Sequence, residues 1–216
     1  MNILLLITGC IIAYLLGSIP TSVWIGRFFF KIDVRNHGSG NAGATNTMRT
    51  LGWKAGVVVL CFDVLKGALA VLLSDFFIPD YYSLPQNIHY NVICAIMAVI
   101  GHVYPVFAGF KGGKGVATLA GIMFALLPWQ TGTACLVFVV VLLSSGYVSL
   151  SSIIACLFYP LIVIFLYRIF PSLNPIEVSE VIFSIAIAIF VPILHLKNIK
   201  RILNGEEKSV FRRKKQ

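Results

Sequence analysis

From Val57 to Leu73 the chain reads VVVLCFDVLKGALAVLL, a nearly unbroken apolar run in which two charges are embedded. Crossing a bilayer as a helix takes about 20 predominantly apolar residues, and the hydrocarbon core forces every backbone polar group to be satisfied internally. Comparable blocks recur at 3–24, 55–74, 88–108, 116–128, 131–145, 151–168 and 178–196, separated by short polar pieces. A soluble domain holds roughly 45–50% apolar residues. Here the share is 58%, with 12% charged, and the mean hydropathy is +0.91. The expected class is therefore an all-α, polytopic membrane helix bundle, one integral domain over 1–216 with no separate soluble core.

The two blocks around Leu127-Pro128-Trp129 read as two short helices or one broken one, so seven spans are expected, with five as the alternative. Lys and Arg fix the orientation. Arg27, Lys31, Arg35, Arg49 and Lys54 lie in 25–54, Lys111 and Lys114 in 109–115, and eight basic residues follow from Lys197 onward. These segments are expected in the cytoplasm. The stretch 75–87 has two aspartates and no basic residue, and faces outward. An odd number of spans then places the N-terminus outside and the C-terminus inside. The basic end, roughly 207–216, reads as a disordered cytoplasmic tail. Ile7-Thr8-Gly9-Cys10 superficially resembles a lipoprotein cleavage site, but no basic residue precedes it, so 3–24 reads as a retained span. The net charge of +9 follows this topology pattern and gives no sign of nucleic-acid binding. The five cysteines stand singly in apolar blocks without ligand spacing, so neither a metal nor a cofactor is expected.

Two glycine-rich loops mimic nucleotide motifs. GSGNAG from Gly38 to Gly43 matches G-x-G-x-x-G, with Asp63 twenty residues further on. A dinucleotide fold needs a hydrophobic strand before the glycines and an acid at the end of a second strand. The preceding residues are polar and Asp63 lies within a membrane block, so the context fails. GFKGGKG from Gly109 to Gly115 imitates a P-loop, but Ala108 replaces its first glycine and Gly115 its magnesium-binding Ser or Thr. The underlying physics survives: glycines let backbone N–H groups approach an anion. Ser39, Asn41, Thr45, Asn46 and Arg49 interleave the first loop, and Lys111 and Lys114 the second. Both loops carry inside-type charge, and a phosphorylated ligand at the cytoplasmic surface is the reading that follows.

Asp63 and Lys66 are three apart on one helix and are expected to pair, or Lys66 to reach toward the ligand. His195, Asn198 and Arg201 share a side where the last span leaves the membrane. His102 is a weaker candidate, His37 adjoins the first loop, and His89 is expected to face outward.

GSGNAGATNTMRTLG from Gly38, DVLKG from Asp63, GHVYPVFAGFKGGKGVAT from Gly101 and HLKNIKRILNGEE from His195, in that order, resemble the bacterial acyl-phosphate-dependent glycerol-3-phosphate acyltransferases, the PlsY family. The resemblance implies an inner-membrane enzyme that moves a fatty acyl group from acyl phosphate to the 1-hydroxyl of sn-glycerol 3-phosphate, giving lysophosphatidic acid and phosphate for phospholipid synthesis. It implies that Ser39, Arg49 and Lys114 grip substrate phosphate, with Gly112 and Gly113 giving backbone access. Gly40, Asn41, Thr45, Asn46, Lys111, His195 and Asn198 complete the pocket, and no protein partner is required. Ala42 stands where the family pattern has proline, and Lys197 where it commonly has an acid.

The residues also bear on mechanism. His37, His89, His102 and His195 are followed at the fifth position by Ala42, Cys94, Phe107 and Lys200, so the H-x-x-x-x-D pair of other acyltransferases is absent, as is a G-x-S-x-G elbow. An acyl phosphate carries a good leaving group, and positioning plus charge stabilisation suffice for direct transfer. A substrate phosphate oxygen or His195 would take the hydroxyl proton. The rival reading is a transporter for an anionic metabolite, which places its binding groups near the midplane on interrupted helices.

Overall fold

A computed structural model describes residues 3–74, 90–171 and 176–211, and the described residues form α-helices, two short 3-10 turns and connectors without a strand. The segment 75–87 and His89, both expected to face outward, and the end of the tail from 212 lie outside the described residues. The helices are α1 (Ile3–Gly17), α2 (Thr21–Phe30), α3 (Ala44–Leu51), α4 (Trp53–Leu72), α5 (Tyr90–Val103), α6 (Val116–Leu126), α7 (Pro128–Ser145), α8 (Val148–Ile169), α9 (Val178–Leu194) and α10 (Leu196–Leu203). Contacts divide the chain into two compact units, Met1–Leu126 and Leu127–Gln216.

Each expected apolar block has a helix, but the first is broken. Pro20 has no N–H to donate and disfavours a helical Ile19, so α1 stops at Gly17 and α2 restarts at Thr21 with a 41° bend. The blocks flanking Leu127-Pro128 are two separate helices, and Pro128 sits at the first position of α7, where its missing N–H costs nothing. The last block bends by 57° between α9 and α10 at His195. Among the described residues four helices are long and apolar enough to cross a membrane, or up to six if each bent pair is one span. At 11 residues, α6 is shorter, about 16 Å at 1.5 Å per residue.

In the first unit, α4 packs on α6 and α1 on α5, at backbone distance. A Cβ at Gly121 would fall 1.9 Å from the Val64 carbonyl oxygen, and one at Gly67 2.2 Å from that of Thr118. Such small-residue contacts hold membrane helices together where apolar burial gives no preference for protein over lipid. Val23 of α2 packs with Val34 and Ala42 and so seats the first glycine loop on the helical frame.

In the second unit, α8 packs between α7 and α9, and α10 returns to α8. Thr131 and Tyr159 share a buried hydrogen bond of 3.0 Å. Leu136, Val140 and Leu143 stand exposed along one face of α7, as do Ile182, Ile185, Ile189 and Ile193 on α9. Continuous apolar stripes of this kind match a lipid environment.

Candidate phosphate-binding loops

The first loop is built around two side chains. Asp33 caps the 3-10 turn Val34–Asn36 by accepting the Arg35 backbone N–H at 3.0 Å. Gly38 and Gly40 then turn the chain with φ of +64° and +74°, a region that costs an L side chain strain. Buried Asn46, on the first turns of α3, ties this turn down. Its Oδ1 accepts the Ser39 N–H at 2.7 Å, and its Nδ2 donates to the carbonyls of Val34 at 2.8 Å and His37 at 3.1 Å. A Cβ at Gly38 would meet that Oδ1 at 2.3 Å, so glycine is required there twice over.

The second loop folds back on the end of α5. The N–H of Gly112 donates to the Val103 carbonyl at 3.1 Å and that of Gly113 to the His102 carbonyl at 3.2 Å. These N–H groups satisfy helix-end carbonyls. The glycines permit close approach in another sense: a Cβ at Gly112 would fall 2.0 Å from the His102 carbonyl oxygen, and one at Gly113 2.3 Å from His102 Nε2 and 2.9 Å from the Ala42 carbonyl oxygen.

Arg35 joins the loops. Its Nε and Nη2 engage the Asp33 carboxylate at 2.7–3.2 Å, while Nη1 donates to the carbonyls of Ala108 at 2.7 Å and Lys111 at 3.3 Å. Arg27 adds a contact of 2.9 Å to the same carboxylate. The Arg35 hydrogen bonds hold the Asp33 carboxyl far below the usual carboxylate range, against the opposing effect of partial burial. The same bonds push the Arg35 guanidinium up. Neither residue was a candidate from the sequence, where Arg35 counted only as a topology charge. The available signal was the spacing Asp33-Val34-Arg35 before a glycine loop, an aspartate placed to cap a tight turn.

Beneath the loops lies a small cleft lined by Thr21, Asp63, Lys66, His102, Gly112 and Gly113, among others. Lys66 Nζ reaches Asp63 Oδ1 and the Ile19 carbonyl, each at 2.8 Å, so the expected pairing is present and Lys66 also ties α4 to the break between α1 and α2. Thr21 Oγ1 donates to Asp63 Oδ1 at 3.4 Å. His102 Nδ1 bonds Thr118 Oγ1 at 3.0 Å and lies 3.8 Å from Asp63 Oδ1.

The first unit thus gathers Ser39, Gly40, Asn41, Thr45, Asn46 and Arg49 on one loop and helix, and Lys111, Gly112, Gly113 and Lys114 on the loop that Arg35 fastens to it. Lys111 is exposed, while Ser39, Arg49 and Lys114 are partly buried. Among the described residues Asn41 Oδ1 is buried without a hydrogen-bond partner. His195 and Asn198 belong to the second unit. His195 is buried at the α9–α10 bend, and because a carbonyl can only accept, its Nδ1 donates to the Val191 oxygen at 2.8 Å. Asn198 donates to Glu207 Oε1 at 2.9 Å, which also accepts from Ser149 at 3.2 Å. Glu207, where the tail was expected to begin, is accordingly a buried tie to α8. Among the described residues no three His, Cys, Asp or Glu side chains gather as a metal site would require.

Comparison with known proteins fits this arrangement. The sequence profile described as "Glycerol-3-phosphate acyltransferase" matches residues 7–205. The chain belongs to the glycerol-3-phosphate acyltransferase family. A relative of that description from Listeria welshimeri is 43% identical over 205 residues, covering 95% of this chain and 96% of its own. One from Enterococcus faecalis is 43% identical over 198 residues, covering 91% and 88%. Among solved structures, PlsY, an integral membrane glycerol 3-phosphate acyltransferase, matches in its glycerol 3-phosphate form with a TM-score of 0.81 and 38% identity over 94% of both chains. Its lysophosphatidic acid form matches with a TM-score of 0.77 and 36% identity. The chain is thus an integral membrane acyltransferase of the PlsY family, and the transporter reading falls away.

Proposed function

We propose that this chain transfers a fatty acyl group from acyl phosphate to the 1-hydroxyl of sn-glycerol 3-phosphate, giving lysophosphatidic acid and inorganic phosphate for phospholipid synthesis. The observation that carries the reading is the fastening of two glycine loops to one another within the first unit. One loop bears Ser39, Asn41 and Arg49, the other Lys111 and Lys114. Cationic and hydroxyl groups on rigid turns suit phosphate oxygens, and relatives of this family are known with glycerol 3-phosphate and lysophosphatidic acid. An acyl phosphate is lipid-like, so its chain lies in the bilayer while the headgroup reaches the loops.

The acceptor hydroxyl attacks the acyl carbonyl directly. The acyl–phosphate C–O bond breaks, its electron pair leaves with phosphate, and the hydroxyl proton passes to a substrate phosphate oxygen or to Nε2 of His195. Lys114, Arg49 and Ser39 hold and neutralise phosphate charge as it develops. Thr45 in the first turn of α3 and Gly40 line the acceptor side. Asn46 and Asn198 act by holding their surroundings, given the bonds they already make. No cofactor, metal or protein partner enters this scheme. Seven spans, with the N-terminus outside and the loops and C-terminus in the cytoplasm of a bacterial inner membrane, place the chemistry where soluble acceptor meets membrane-borne donor.

The deciding assay gives purified protein in detergent both substrates and follows phosphate release and lysophosphatidic acid. Absence of both products from folded protein refutes the reading. An acyl group trapped covalently on the protein refutes direct transfer, and near-normal turnover in folded His195→Ala removes the histidine as base.

A further inference from the structure

We propose that Arg35 is a positioning residue that sets the affinity for a substrate phosphate without touching it, by holding the loop that carries Lys111 and Lys114 in its binding geometry. The inference rests on the phosphate-site reading above and deepens it. The guanidinium is spent on protein partners. One edge, Nε and Nη2, faces both oxygens of Asp33, and the remaining nitrogen reaches the carbonyls of Ala108 and Lys111. Asp33 holds one edge of the fork at 2.7 Å and is shared with Arg27 at 2.9 Å, so the Arg35 donors are directed at protein acceptors and not at an anion. The fork is planar and rigid, so anchoring one edge on Asp33 fixes where the other edge points.

The effect on the second loop is specific. The carbonyls of residues 108 and 111 are drawn toward Arg35, while the N–H groups of Gly112 and Gly113 are drawn toward the end of α5. The peptide planes from Ala108 to Gly113 are therefore held from two sides, and Lys114 follows directly. Without Arg35 the side facing the first loop is released, and a loop with three glycines between 109 and 113 gains many alternative conformations. Binding then carries the entropy of ordering that loop. A positioning role weakens ground-state and transition-state binding together, which raises KM and leaves kcat.

The test uses the full-length protein in detergent, comparing wild type with Arg35→Ala and Arg35→Lys. Calorimetric binding of glycerol 3-phosphate is expected to weaken about tenfold in Arg35→Ala. Its KM is expected to rise by a similar factor, with kcat within about twofold. Arg35→Lys, which keeps the charge but not the fork, is expected to fall between them and serves if the alanine variant does not fold. Added guanidinium ion at millimolar level is expected to restore much of the affinity of Arg35→Ala, an effect that general misfolding would not show. Hydrogen exchange at 110–114 is expected to quicken while α4 and α5 stay protected. Unchanged affinity with faster exchange overturns the proposal, as does unchanged exchange. A tenfold fall in kcat at constant KM overturns it too, by making Arg35 catalytic. If wild type binds glycerol 3-phosphate but turns over no acyl phosphate, the proposed reaction fails while the binding arm still decides the role of Arg35.

Discussion

Lys66 Nζ stands 2.8 Å from Asp63 Oδ1 on the next turn of α4 and equally close to the Ile19 carbonyl, so one buried cation neutralises an intramembrane acid and stitches the break between α1 and α2. The Ile19 carbonyl sits at the break between α1 and α2, where it accepts the Thr21 N–H at 3.1 Å and takes the Lys66 ammonium as a second donor. Removing one member of a buried pair strands the other, at a cost of about 3–5 kcal/mol, whereas removing both is far milder. Asp63→Asn and Lys66→Met are each expected to lower the unfolding midpoint in detergent strongly, and the double variant to recover part of the loss. Additive losses in a double-mutant cycle would contradict coupling between the two.

The helical frame was legible because lipid leaves few solutions: an apolar block of sufficient length becomes a helix, and each block did. The break at Pro20 was less legible, since Ser18-Ile19-Pro20 lies inside a block whose hydropathy stays high across it. Residue type in the glycine loops revealed chemistry without direction. Asn46, expected by resemblance to help complete the pocket, makes three bonds to backbone that brace the first loop, which residue type alone did not reveal. At Gly112 and Gly113 the structure adds a close approach of His102 and Ala42 that residue type alone did not reveal. Arg35 escaped because topology already accounted for a basic residue there.

Asn46 offers a direct check on the brace. Asn46→Asp keeps an acceptor for the Ser39 N–H but sets a carboxylate against the carbonyls of Val34 and His37, and Asn46→Ala leaves all three groups unpaired. Buried unpaired polar groups cost about 1–3 kcal/mol each. Both variants are expected to lose most activity, with Asn46→Asp no better than Asn46→Ala, although its shape is nearly unchanged. Near-normal activity in Asn46→Asp would show that the Nδ2 bonds contribute little.

Three neighbouring glycines should respond differently to alanine. At Gly112 the added Cβ meets backbone, the His102 carbonyl oxygen at 2.0 Å, which cannot step aside without moving the end of α5. At Gly113 the nearest atom belongs to the His102 ring, although the Ala42 carbonyl stands behind it at 2.9 Å. At Gly109 nothing lies within 4 Å, but φ is +63°, so the cost is left-handed strain of about 1–2 kcal/mol. The expected order of lost turnover is Gly112→Ala, then Gly113→Ala, then Gly109→Ala. A Gly109→Ala variant more impaired than Gly112→Ala would break the link between close packing and activity.

The Asp33–Arg35 clamp also predicts a pH dependence. Arg35 lowers the folded pKa of Asp33 below its unfolded value, so the clamp's contribution is complete above the ordinary carboxylate range, near about 3.9, and is lost as pH falls through the depressed folded value. Wild type is therefore expected to exceed Asp33→Asn in stability by a constant margin from pH 8 down to about pH 5. The margin is expected to shrink steadily below about pH 4. Parallel denaturation series in detergent measure it directly. A margin that already closes between pH 7 and pH 5 would mean that the carboxylate is not held in its ionised form by Arg35.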